Sequence, residues 1–222
     1  MSTATAASIS LAKNEKHFQL PVLVLLGVLL IDQISKFMVK LNMYLNEEFS
    51  VLGDWFIIHF TENPGMAFGM EFGGDYGKLF LTLFRIVAVF FIARYIVRIT
   101  KEGAPKGAVI GVTLILAGAL GNIIDSVFYG VIFSDSYYSI AQLFPEGGGY
   151  GTWMHGKVVD MLYFPLISGF FPDWVPLVGG DHFIFFRPIF NIADTAISIG
   201  VGIILIFHRK FFAESLSKHE KD

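Results

Sequence analysis

Residues 107–129 read GAVIGVTLILAGALGNIIDSVFY, a run of 23 residues in which Asp125 is the only charged side chain. A helix rises about 1.5 Å per residue, so a run of this length crosses the roughly 30 Å of hydrocarbon in a bilayer. A soluble domain has little use for so continuous an apolar helix. This stretch therefore predicts a membrane-spanning helix and sets the fold class of the chain around it.

Three further apolar runs of similar length lie at about residues 20–40, 78–99 and 188–207. Of the 222 residues, 54% are hydrophobic and 16% charged, with a mean hydropathy of +0.62, so the chain is far more apolar than a soluble domain. The first run is too long for a cleavable signal peptide, and no small-residue cleavage site follows it. We predict four transmembrane helices in a single integral membrane domain, residues 1–222.

The basic residues are unevenly distributed between these runs. The N-terminal segment, the link between the second and third runs and the C-terminal tail together hold ten of the 16 lysines and arginines. The loop 41–77 holds none, and the loop 130–187 holds two. By the positive-inside rule, both termini are cytoplasmic and both long loops lie outside. We predict an all-α membrane protein whose outer loops form a small, partly β, extracytoplasmic subdomain.

The overall charge and residue usage exclude several function classes. The formal net charge is −3, which leaves no basic stripe to neutralise phosphates, so nucleic acid is not a predicted partner. The chain has no cysteine, which excludes disulfides, thiol catalysis and thiolate metal sites. Its histidines are scattered and form no His-Glu-x-x-His pattern, so a zinc site is not predicted.

Ionisable and amide side chains recur at one depth within the four apolar runs. An ionisable residue at the centre of a membrane helix costs roughly 2.5–3.5 kcal/mol on insertion scales and usually faces the bundle interior. Three runs carry two polar residues three or four positions apart, which places both on one helix face. These pairs are Asp32 with Lys36, Asn122 with Asp125, and Asn191 with Asp194, and the second run carries Arg85.

One such pair alone is as well explained by packing between helices. Three pairs at one depth favour a functional polar layer. A fourth carboxylate, Asp160, lies in the loop segment 157–164, which is apolar enough to turn back into the mouth of the bundle.

Five short motifs carry the three pairs and Asp160. In chain order they are Asp32-x-x-Ser35-Lys36, Glu62-Asn-Pro-Gly-Met-Ala-Phe-Gly69, Gly118-Ala-Leu-Gly-Asn-Ile-Ile-Asp125, Val158-Val-Asp-Met161 and Phe190-Asn-Ile-Ala-Asp194. With the four-span topology, they closely resemble the lipoprotein signal peptidases (signal peptidase II) of bacterial inner membranes. The resemblance covers about residues 20–207.

The resemblance implies an aspartyl intramembrane endopeptidase that removes the signal peptide from diacylglyceryl-modified prolipoproteins, cutting just before the lipid-bearing cysteine. The family's catalytic aspartates fall on Asp160 and Asp194. Its substrate-binding and supporting residues fall on Asp32, Lys36, Asn63, Gly65, Phe68, Gly121, Asn122, Asp125 and Asn191. The resemblance also implies no metal and no organic cofactor. It implies a lipidated prolipoprotein as substrate in the bacterial inner membrane. We also predict membrane lipid as a partner, a monomer, and an active site toward the outer face, where the long loops lie.

The chain departs from the family pattern at two places. Ser126 stands where the family usually has an arginine after Asp125, so the positive charge is expected from Arg85 or Arg187, unless hydrogen bonds alone hold Asp125. An insertion, residues 134–152, precedes Asp160, and the stretch 170–187 is also long. These segments are either a cover for the site with a glycine hinge or a surface embellishment without a role in turnover.

Two carboxylates that share one proton can activate both a water and the scissile carbonyl, and which of the pair is the base stays open. Asn191 is a candidate donor to a carboxylate or to the substrate backbone, and Asn63 and Asn122 are candidate donors near the developing oxyanion. A proton-coupled transporter is the main rival hypothesis, because intramembrane carboxylates also form proton relays. Uninterrupted spans without an internal repeat count against it. A non-catalytic scaffold that binds lipoproteins is the third, favoured only by Ser126.

Overall fold

The computed structural model describes residues 3–64 and 74–212. The chain divides into two compact units. The helical unit comprises Met1–Gln33, Tyr76–Ile124 and Ile192–Asp222, and the mixed unit comprises Ile34–Asp75 and Asp125–Asn191. The grouping of all 222 residues into one membrane domain stays a prediction.

The described part of the chain forms five α-helices in chain order. They are α1 (Thr3–Lys40), α2 (Gly74–Lys101), α3 (Lys106–Ile124), α4 (Gly130–Ile132) and α5 (Ile192–Ile203). A π-helical turn, Asp125–Tyr129, joins α3 to α4, and a second, Ile204–His208, extends α5. Among the described residues, four segments are long and apolar enough to cross a membrane: Phe18–Lys40, Tyr76–Lys101, Lys106–Ile132 and Ile192–Phe212. The predicted four-helix membrane fold is confirmed.

The fourth helix begins later than the sequence predicts. Its apolar run starts at Pro188, whereas the helix starts at Ile192. Ile189 and Phe190 instead form a short strand paired with Tyr163 and Leu162. Hydropathy cannot separate the two structures here, because a buried strand and a buried helix are both apolar.

In the helical unit, glycines bring α3 and α5 into close contact. A Cβ on Gly118 would lie 2.2 Å from the carbonyl oxygen of Ala193, and one on Gly200 would lie 2.5 Å from that of Gly111. Small residues of this kind let the backbones of membrane helices approach each other. Five buried residues of α2 and α3 form the core beside this contact: Ile96, Ile99, Val109, Val112 and Leu116.

The mixed unit contains the β structure predicted for the long loops. Its larger sheet has the antiparallel order β1 (Glu48–Leu52), β2 (Phe56–Asn63), β3 (Val158–Tyr163) and β6 (Ile189–Phe190). A second, two-stranded sheet pairs β4 (Ile167–Phe170) with β5 (His182–Phe185). In the larger sheet, Thr61 lies opposite Asp160 and Glu62 opposite Val159, so the register sets the end of β2 beside the middle of β3.

The 134–152 insertion is packed into the mixed unit. Tyr150 donates its backbone N–H to the carbonyl of Phe133 at 2.9 Å, and Gly151 donates to that of Gly130 at 2.8 Å. A Cβ on Gly149 would lie 2.2 Å from the Gly130 carbonyl oxygen. The glycine run therefore gives the insertion a close backbone contact at Gly149, which differs from the free hinge that the sequence suggests.

Candidate active site

Asp160 lies in the middle of β3 and is 3% exposed. The Asn191 amide donates to its Oδ1 at 2.7 Å, and the Asn63 amide donates to its Oδ2 at 3.3 Å. Asn191 follows β6 and Asn63 ends β2, so strand pairing on both sides of β3 brings these donors to one carboxylate. Two neutral amides fix the orientation of this carboxyl group without adding a charge.

Asp125 supports the same strand from the π-helical turn. Its Oδ2 accepts a hydrogen bond from the Val159 backbone N–H at 3.2 Å, one residue before Asp160. The same oxygen forms an ion pair with Lys36 at 2.9 Å, and both side chains are 0% exposed. Asp125 is therefore held by a cation on α1, so the alternative that hydrogen bonds alone hold it is wrong.

Ser126 occupies a tight position next to this ion pair. It is 2% exposed, and its carbonyl accepts the N–H of Gly156 at 2.9 Å. A Cβ on Gly156 would lie 2.1 Å from the Asp125 carbonyl oxygen, so the backbones are in contact here. The side chain of an arginine at position 126 would have to enter this packed region. Lys36 therefore supplies the charge beside Asp125 from another part of the sequence.

In the helical unit, Asp194 lies in the first turn of α5 and is partly buried. The Asn122 amide of α3 donates to its Oδ1 at 2.9 Å. The positive charge of Arg85, on α2, also acts on Asp194. Of the two arginines that the sequence offers as a source of charge, Arg85 therefore interacts with one of the predicted catalytic carboxylates.

Asp32 fixes the start of α5. Its Oδ1 accepts the Ala193 N–H at 2.9 Å, one of the four backbone donors that the first turn of a helix leaves without an internal partner. Asp32 is 0% exposed, and Gln33 donates to its Oδ2 at 3.0 Å. A Cβ on Gly121 would lie 2.6 Å from that same oxygen. Residue 121 therefore has to be a glycine if α3 is to pass this close to Asp32.

The predicted site residues thus fall into two clusters, one in each unit. Asn63 and Asn122, expected as oxyanion donors, each donate a hydrogen bond to a predicted catalytic carboxylate, and their role toward an oxyanion stays a prediction. Gly65 and Phe68 lie outside the described residues. Within residues 3–64 and 74–212, no group of three or more histidine, aspartate or glutamate side chains is arranged to hold a metal ion.

Sequence reasoning missed a third cluster beside Asp160. It contains Lys40, Glu62 and Lys157, with two residues of the insertion, Ser136 and Tyr150. Lys40 lies four positions after Lys36 on the same helix face, and Glu62 directly precedes Asn63. These two spacings are the sequence features that could have indicated the cluster.

Comparison with known proteins places the chain in a single protein family. The family model described as Signal peptidase (SPase) II matches residues 24–210. A lipoprotein signal peptidase of Porphyromonas gingivalis is 54% identical over 180 residues, which cover 81% of this chain and 78% of the relative. One of Amoebophilus asiaticus is 40% identical over 193 residues, covering 86% of this chain and 78% of the relative.

Among solved structures, a bacterial membrane enzyme matches with a TM-score of 0.55 and 24% identity. The match covers 87% of this chain and 90% of that one. At this identity, the likeness supports the fold alone.

Proposed function

Because the chain belongs to the signal peptidase II family, we propose that it is an aspartyl endopeptidase with Asp160 and Asp194 as its catalytic residues. The family acts on prolipoproteins by removing the signal peptide. The aspartyl mechanism, the cleavage point just before the lipid-bearing cysteine and the two catalytic residues are the finer part of the proposal.

One observation carries the aspartyl assignment. Asp160 and Asp194 each accept an asparagine amide. In both cases, a second buried aspartate holds the backbone N–H of the preceding residue. A carboxyl group fixed in this way keeps its position while it gains or loses a proton, as a general acid or base must.

The chemistry needs no group beyond these side chains and water. One carboxylate takes a proton from a water, whose oxygen attacks the scissile carbonyl carbon. The other, protonated, carboxyl group donates its proton to the carbonyl oxygen. As the C–N bond breaks, the leaving nitrogen takes the proton from the first carboxyl group. One hydroxyl of the tetrahedral carbon returns its proton to the second carboxylate, which restores the singly protonated pair. Two like charges close together in a low dielectric favour such a singly protonated pair. Asn63, Asn122 and Asn191 orient the carboxyl groups during these transfers.

The proposed setting follows from the charge distribution and the substrate. Lysine and arginine are concentrated at the termini and in the link between the second and third spans, which favours cytoplasmic termini and an active site toward the outer face of the inner membrane. A monomer suffices, because this chain supplies both carboxylates. The acyl chains of the substrate would stay in the bilayer while the scissile bond reaches the polar layer.

The test is processing of a diacylglyceryl-modified precursor by purified protein in liposomes. We expect Asp160→Asn and Asp194→Asn each to reduce the rate by about a thousandfold or more while the protein still inserts and folds. Asp181→Asn, which changes an exposed aspartate of the same long loop, is the matched control and should process normally. Wild-type rates in either catalytic variant would refute the assignment.

The same liposome assay distinguishes the proposed peptidase from the two rival functions. A transporter would move protons or solute across the membrane without cutting the precursor. A non-catalytic scaffold would retain the precursor uncut.

A further inference from the structure

Glu62, at the end of β2, lies in a buried cluster of charges beside Asp160. Its side chain is 2% exposed and accepts hydrogen bonds from both Lys40 and Lys157. Lys40 is the last residue of α1 and its side chain is 0% exposed, whereas Lys157, just before β3, is 27% exposed. An ion triad thus joins the end of one helix to the adjoining ends of two paired strands.

The 134–152 insertion encloses this triad. The Lys40 ammonium donates to Ser136 Oγ at 2.8 Å and lies 4.8 Å from the centre of the Tyr150 ring. Lys157 lies 5.4 Å from the same ring and 5.4 Å from that of Tyr137. Aromatic faces attract cations in this range, and the attraction grows when water is excluded.

Tyr150 contributes through its hydroxyl as well as its ring. The hydroxyl oxygen accepts the backbone N–H of Lys157 at 2.7 Å. Burial raises the pKa of Tyr150, so the hydroxyl stays protonated and neutral beside the two lysines. The insertion therefore holds both the side chain of Lys157 and the backbone that leads into β3.

The triad acts on the residue next to it. Glu62 directly precedes Asn63, whose amide donates to Asp160 at 3.3 Å, a bond at the long end of the normal range. Across the sheet, Glu62 lies opposite Val159, the neighbour of Asp160. A small shift of β2 at this point would lengthen or break the Asn63 bond before it disturbed the rest of the sheet.

We propose that Glu62, held by Lys40 and Lys157 against Tyr150, is a positioning residue that fixes Asn63 and through it Asp160, so that the insertion takes part in turnover. This inference rests on the proposed function. In this proposal the insertion is neither an opening cover nor a surface embellishment. Its contacts with the lysines hold the strands of the site in place. Neither an opening cover nor a surface embellishment would need these buried contacts.

The experiment measures kcat and KM for the lipidated precursor in liposomes. Glu62→Gln keeps the shape of the side chain and removes its charge. We expect kcat to fall about tenfold or more, because misplacing a reacting group by about 1 Å can cost ~100-fold. KM should stay within about twofold. Glu146→Gln, the same change at an exposed position in the insertion, is the matched control and should leave both constants unchanged.

A double-mutant cycle tests the route through Asn63. If Glu62 acts by placing Asn63, then Glu62→Gln adds no further loss of kcat to Asn63→Ala. Losses that multiply in the double variant would overturn the inference, and so would a wild-type kcat or a raised KM alone in Glu62→Gln. Tyr150→Leu should lower kcat without changing KM, whereas Tyr138→Ala, at a residue that is 99% exposed, should not.

Two further variants keep the test decisive. If Glu62→Gln fails to fold because Lys40 loses its partner charge, the double variant Lys40→Met/Glu62→Gln removes both charges. This double variant is then combined with Asn63→Ala in the same mutant cycle. Asp160→Asn is measured in parallel. Processing by Asp160→Asn would refute the proposed function, whereas an inactive Asp160→Asn beside a fully active Glu62→Gln would refute the positioning role alone.

Discussion

The mixed unit and the helical unit hold their proposed catalytic aspartates by the same arrangement of hydrogen bonds. In the mixed unit, the Asp125 carboxylate takes the backbone N–H of Val159, next to Asp160. In the helical unit, the Asp32 carboxylate takes the backbone N–H one residue before Asp194. Each unit then adds an asparagine amide to the catalytic carboxyl group itself.

The two supports differ in how their own charge is stabilised. Asp125 forms a fully buried ion pair with Lys36. Asp32 lies at the N-terminus of α5, where the unpaired N–H groups and the helix dipole favour a negative charge. The aspartate that supports the strand thus forms a buried ion pair, and the aspartate at the helix start accepts a hydrogen bond from the helix backbone. The mixed unit should therefore respond more strongly to the loss of its support.

Asp125→Asn should have the largest effect on stability. It breaks the fully buried ion pair with Lys36, and breaking a buried pair by removing one charge costs about 3–5 kcal/mol of unfolding free energy. Denaturant unfolding in detergent measures the loss. Glu102→Gln, which breaks the exposed pair between Arg98 and Glu102, is the control and should cost less than about 0.5 kcal/mol. If Asp125→Asn and Asp32→Asn lost equal amounts of unfolding free energy, the two supports would not differ.

Ser126→Arg tests whether the mixed unit lacks a cation. Lys36 already pairs with Asp125, and residue 126 is 2% exposed. We therefore expect a loss of about 3 kcal/mol from overpacking, together with lower activity. Unfolding and processing assays measure the two effects. A gain in either would mean that the ion pair with Lys36 does not replace the family's arginine.

The four spans and the residue types of the site could be predicted from the sequence because both are local properties. Hydropathy finds the helices, and spacing places Asp32 and Lys36 on one face. The partners could not be predicted, because an ion pair such as Lys36 with Asp125 depends on tertiary packing between segments far apart in the chain.

The insertion was the least predictable part. Its sequence offers glycines, tyrosines and serines, which equally suit a loose loop. The Tyr150 ring contacts Lys40, which is distant in sequence, and the Tyr150 hydroxyl accepts the backbone N–H of Lys157. The spacing of these residues along the chain does not indicate either contact. Likewise, Ile189 and Phe190 are apolar enough for a helix, but they form a strand because they pair with Tyr163 and Leu162 of β3.

Two glycines test how rigidly each unit holds its backbone. An added methyl group would lie 2.2 Å from a carbonyl oxygen at Gly118, in the helical unit, and equally close at Gly149, in the mixed unit. We expect Gly118→Ala and Gly149→Ala each to cost about 2 kcal/mol of unfolding free energy. Gly27→Ala and Gly147→Ala, where nothing lies within 4 Å, are the matched controls. A normal Gly149→Ala would show that the insertion can shift freely.

Asp32→Asn should have the smallest effect on stability, and it tests the helical support directly. The asparagine keeps an oxygen that can accept the Ala193 N–H, so the variant loses the charge at the helix start but keeps the hydrogen bond. Loss of charge at such a position costs about 1 kcal/mol. Asp32→Ala also removes the acceptor and should cost more, because a buried N–H is then left unpaired. Denaturant unfolding of both variants beside Asp125→Asn gives the order. If Asp32→Asn destabilises the protein as much as Asp125→Asn does, the helix backbone is not what stabilises this carboxylate, and both units depend on buried cations in the same way.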